Sequence, residues 1–138
     1  MNNKICNQKL AAYAPLVLRL GLAAVVAWFG TSQLVNPNSW VNVVPAWAAD
    51  ISGLSKLTII HLNGWFEIIT ALLLALGVCV RWVALVLSVH LFVITIGFGA
   101  SATGVRDFGL SMALLSIFFA GQDKHCFDYK EVPPAEVK

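Results

Sequence analysis

Residues 57–80 read "LTIIHLNGWFEIITALLLALGVCV", an apolar run with His61, Asn63 and Glu67 set into its first half. About 20 mostly apolar residues cross a bilayer core as a helix, so the run reads as a membrane span. An ionisable side chain at the centre of such a helix costs roughly 2.5–3.5 kcal/mol to insert. Glu67 is therefore expected to face other protein groups or a cavity rather than lipid. Asn63, four residues earlier, shares its face one turn away. His61 points elsewhere, more than about 100° around the helix.

The composition fixes the solvent. Of 138 residues, 59% are hydrophobic and 12% charged, more apolar surface than a soluble domain of this size can hide. Three more apolar runs lie at about 13–34, 82–98 and 106–121, and none alternates like a barrel strand. The expected fold is all-α, an integral membrane four-helix bundle formed by residues 1–128, with 129–138 a polar, disordered tail. The amino-terminal "MNNKICNQKL" reads as the start of an uncleaved first span. Pro15 suits the first turn of that span. The fourth run is short. Either "GFGASATGV" (97–105) completes it as helix, or that segment dips inward as irregular backbone lined by protein. Asp107 is its expected cap and Gly121 its stop.

Only "VCVRW" joins the second and third runs, so they form a tight antiparallel hairpin. At about 1.5 Å per residue, Glu67 lies roughly 15 Å from the outer start of its span. His90, counted from the opposite side, reaches a similar depth, and the two meet if they share a face. Arg19 sits about two turns inside the first span. It either snorkels toward its own end or turns inward to hold a carboxylate or a headgroup. Direct contact with Glu67 is too long on depth alone. Arg106 and Asp107 read as a capping surface pair or as a ligand contact from the outer face. The loop between the first two spans carries Trp40, Val43, Val44 and Trp47 in a helical stripe broken by Pro45. Two short turns at the interface are expected there, as an anchor or as a lid.

Lys4, Lys9, Arg81, Lys124, Lys130 and Lys138 share one side, against Lys56 and Arg106 on the other. Positive-inside logic puts both termini in the cytoplasm. A net charge of +2, scattered along the chain, points away from nucleic acid. Cys6, Cys79 and Cys126 have no CxxC spacing, and the adjacent His125 and Cys126 cannot supply a metal's ligand set, so no metal site is expected. The chain carries no CxxCH, GxGxxG or cysteine-cluster signature. No cofactor is evident, and any electron chemistry would need a partner protein.

"LVLRLGLAAVVAWFG" (16–30), "NGWFEIITALLLALGVCVRWVAL" (63–85) and "GVRDFGL" (104–110), in this order along four spans, resemble the DoxX family over roughly residues 13–128, including Asp128. The resemblance implies a small multi-pass protein of the bacterial inner membrane, linked by its family name to quinol oxidation and thiosulfate:quinone oxidoreduction. Arg19, Glu67, Arg81 and the Arg106–Asp107 pair fall on family-like positions. Gln33 departs from the pattern, since members often carry a basic residue there. The expected function is a component of a redox or respiratory assembly that binds a quinone-like or lipid-like molecule within the bundle. Candidate contacts are Glu67, His90, Asn63, Arg19, His61, Arg106 and Asp107. A proton or small-solute conduit through Glu67 and His90, and a structural subunit with no ligand, stay open. Expected partners are membrane lipids, a redox protein and further copies of the chain.

Overall fold

The structure, a computed structural model, describes residues 11–129. Lys4, Cys6, Lys9, Lys130, Lys138 and nearly all of the expected tail lie outside the described residues. Helix α1 (Ala14–Val35) leads through a 3-10 helix (Pro37–Val43) and the short α2 (Ala46–Ser52) into α3 (Lys56–Leu76), α4 (Val80–Phe98) and α5 (Ala102–Ala120). The described residues contain no strand. Helices α1, α3, α4 and α5 are each long and apolar enough to cross a membrane. At about 1.5 Å per residue they extend roughly 28–33 Å, the thickness of a hydrocarbon core.

The helix ends follow local chemistry. α3 stops at Leu76, earlier than the run of apolar residues suggests, because Gly77 takes a left-handed φ of 77° and turns its N–H back to the Leu73 and Leu74 carbonyls. Cys79, also at positive φ, then opens α4. α5 starts at Ala102, so most of the glycine-rich segment is helix or its cap. Ser101 caps it by accepting the Gly104 N–H at 3.1 Å. Asp107 is therefore not the cap; it lies a turn inside the helix and is buried. Pro45 does divide the outer loop, ending the extended joint between the 3-10 helix and α2.

Two intimate helix pairs make the bundle. α1 lies along α3 and α4 along α5, while α3 with α4 and α1 with α5 touch more sparsely. The expected tight hairpin of α3 and α4 thus has a short turn but a loose seam, each helix packing closely on another neighbour instead. Glycines bring the first pair together. A Cβ on Gly30 would sit 2.7 Å from the Gly64 carbonyl oxygen, and one on Gly64 would sit 3.0 Å from that of Gly30. Small residues permit such approach where lipid offers no hydrophobic drive between helices. In the second pair Ser88 and Ser111 each donate a hydroxyl to the other's carbonyl at 2.9 Å. Leu22, Val26, Leu74, Leu87 and Leu114 fill the centre between the pairs toward the Gly77–Cys79 turn.

Beyond Gly121 the chain folds back beneath that same turn. The Phe127 N–H donates to the Leu76 carbonyl at 3.3 Å, and Asp128 accepts the Cys79 N–H at 2.8 Å. A Cβ on Gly77 would meet the Cys126 Cα at 2.6 Å, so only glycine leaves room for this segment. One end of the bundle is thus sealed. The other carries the loop of residues 36–55 and is where the polar groups gather.

Candidate functional site

The Gly30–Gly64 approach determines what lies beside it. With the two backbones this close, Gln33 at the end of α1 reaches Asn63 and Glu67 on α3. Gln33 Nε2 donates to Glu67 Oε2 at 2.9 Å. Asn63 Nδ2 donates to Gln33 Oε1 at 2.8 Å and to Glu67 Oε1 at 3.0 Å. Glu67 is 3% exposed, so its carboxyl group is almost entirely supported by these two amides. Each carboxyl oxygen keeps a second lone-pair direction for another donor.

From α4, His90 places Nε2 3.7 Å from Glu67 Oε1. That is an ion-pair distance if the imidazole is protonated and too long for a hydrogen bond. The nitrogen is buried and has no hydrogen-bond partner among the described residues. The ring is held against Phe66, with centroids 4.7 Å apart. Depth counting on the hairpin therefore places His90 beside Glu67, and the structure does the same.

Above this group lies a cavity of about 510 Å³. Gln33, Asn63 and Glu67 form its floor, and Phe29, Ile60, Leu91 and Ile94 line its sides. Trp40, Val43, Val44, Pro45 and Trp47 roof it, so the interfacial stripe covers a cavity rather than only resting on a membrane surface. The Trp40 indole N–H donates to the Ser32 hydroxyl at 3.3 Å, tying the roof to α1. Arg106 and Asp107 complete the wall. Arg106 Nε and Nη2 both lie 2.8 Å from Asp107 Oδ1, and the guanidinium stands 4.6 Å above the Phe29 ring.

Three sequence candidates do not line the cavity: His90, which stands behind Glu67, and His61 and Arg19, which lie elsewhere. His61 is exposed, its Nδ1 2.7 Å from the Leu57 carbonyl of its own helix, and it does not line the cavity. Arg19 is 2% exposed and does not snorkel. Its Nη1 donates to the Leu74 and Ala75 carbonyls at 2.6 Å, and its Nε to Asp123 Oδ2 at 2.8 Å. The carbonyls freed where α3 ends form a negative terminus that draws a cation inward. Burial alone would raise the Asp123 pKa, but the Arg19 hydrogen bond and charge, with the His125 N–H, hold this carboxyl below its ordinary range. Burial pushes the neighbouring Cys126 thiol up.

Gln33 and the roof were not among the candidate contacts read from sequence. The available signals were the amide three residues beyond Gly30 and the aromatic stripe. No cluster of His, Cys, Asp and Glu able to hold a metal occurs among the described residues. The family model described as DoxX matches residues 14–100, more than half of the chain. No curated protein and no solved structure matches the chain.

Proposed function

The chain belongs to the DoxX family, and we propose that it holds a quinone-like or lipid-like amphiphile in the cavity under its loop, as a membrane component of a redox or respiratory assembly. The observation that carries this reading is the buried Gln33–Asn63–Glu67 network at the floor of an otherwise largely apolar cavity of about 510 Å³. Small-molecule sites combine such walls with a few placed polar groups. The head of the ligand would contact the free lone pairs of Glu67, with His90 behind that carboxyl group at 3.7 Å, and the apolar body would pack on Phe29, Trp40 and Trp47. Redox equivalents would come from a partner protein. By the distribution of Lys and Arg, the Gly77–Cys79 turn and both chain ends would face the cytoplasm of a bacterial inner membrane.

A through-conduit has less support. Between Glu67 and the Arg19 cluster lie Ala71, Leu74, Leu22 and Val26, all buried and apolar. The hydroxyls at that level, on Thr70, Ser88 and Ser111, are turned to helix carbonyls.

Trp40 and Trp47 supply the test. Titrating proteoliposomes with a decyl-benzoquinone should quench tryptophan fluorescence with a saturable component. In Glu67→Gln one amide N–H meets the amides that now donate to the carboxyl group, and affinity should fall roughly tenfold or more. Quenching that is linear and identical in both proteins would count against the site.

A further inference from the structure

A second, more open hollow of about 340 Å³ lies on the outside of the same polar group. Leu54, Leu62 and Phe66 form its apolar sides, and His90 stands at its inner edge. Ile59 and Asn63 line both this hollow and the cavity, so the two spaces share a wall. The hollow lies at the α3–α4 seam, one of the sparsely packed seams between the helix pairs. The His90 side chain is 24% exposed, while its Nε2 is buried, 3.7 Å from Glu67 and unpaired among the described residues. An imidazole left without a partner at membrane depth carries an unmet hydrogen-bonding demand.

We propose that this groove is a lateral binding site and doorway, through which a bilayer-dissolved amphiphile with a hydroxyl or carbonyl head reaches the cavity, pairing first with His90 and then with Glu67. The inference rests on the ligand-binding reading above and adds its route. The cavity roof is built from a proline-stiffened loop tied to α1, whereas the wall shared at the seam includes the side chains of Ile59 and of Asn63, the latter held by its bonds to Gln33 and Glu67. The occupant comes from the bilayer because the groove lies between two membrane-spanning helices and Leu62, 58% exposed, forms its outer lip. A molecule sliding along that lip keeps its apolar tail in lipid throughout.

Leu62 offers the test because it lines the groove and not the cavity, and its exposure lets it change without disturbing the core. Stopped-flow mixing of proteoliposomes with the decyl-benzoquinone, read by cavity tryptophan quenching, gives both rates. Leu62→Phe should slow association and dissociation together by about threefold or more, leaving affinity within about twofold, and Leu62→Ala should speed both. Ile51→Ala, at an 81% exposed position of α2 that lines neither the cavity nor the groove, should leave the rates unchanged. Wild-type rates in both Leu62 variants, or rates that respond equally to Ile51→Ala, would overturn the doorway while leaving the binding site intact. Absence of saturable quenching in the wild type would overturn both.

Discussion

Arg19 and Asp123 compensate each other as one buried pair of charges. Each is nearly inaccessible, and each is paired with the other and with backbone groups. Removing one member leaves the other charged in a low-dielectric site, which typically costs about 3–5 kcal/mol. Asp123→Asn is expected to lower the thermal stability of the purified protein by an amount in that range. The pH dependence has a definite sign. The folded carboxyl titrates below its ordinary value of 3.8, so its contribution is complete above that value and is lost as pH falls through the depressed one. Thermal melts should show that acid loss in the wild type and not in Asp123→Asn; matching acid profiles would contradict it. Glu67 is supported differently, by amides and a distant imidazole rather than a guanidinium. Asp123 is thus held by a charged donor in the sealed end, whereas Glu67 meets neutral amides at the edge of a cavity.

At the scale of elements, glycines set the geometry. Gly30 and Gly64 bring α1 and α3 together, and only then does Gln33 reach the two α3 side chains. Gly30→Ala would drive a methyl group to 2.7 Å from a backbone oxygen that cannot rotate away. The helices must separate, at roughly 1–3 kcal/mol. Denaturation of the variant in mild detergent should show that loss, together with weaker quinone quenching as the Gln33 bonds lengthen. Unchanged stability and binding would mean that the helix contact is not what positions the network. The sequence made part of this legible. The row of Asn63 and Glu67 follows from helical spacing, and His90 from counting depth on either side of the short turn between α3 and α4, although the two helices touch sparsely. Gln33 was harder to place because an amide near a span end resembles an interfacial residue, and its role depends on a tertiary contact. The partner of Arg19 lay in a segment whose polarity suggests solvation, although residues 121–129 pack under the Gly77 turn. Asp107 resembled a cap because helix-starting signals are local, and Ser101 supplied a better one farther upstream.

The whole molecule is asymmetric along its length. Toward the Gly77–Cys79 turn it is solid: apolar side chains fill the centre, and Arg19 and the carboxyl-terminal segment seal the end. Toward the loop, the helix pairs flank a partly open cavity floored by the network and covered by Trp40 and Trp47. A purely structural subunit would need the amide ties between α1 and α3, but not a roofed cavity beside them. The most direct measurement is native mass spectrometry with lipid and quinone extraction on mildly solubilised wild type beside Glu67→Gln. The expected result is one quinone-like or lipid-like amphiphile per wild-type chain, lost in the variant. Ordinary phospholipids alone, the same in both proteins, would contradict the binding site and leave Glu67 as a tie between helices.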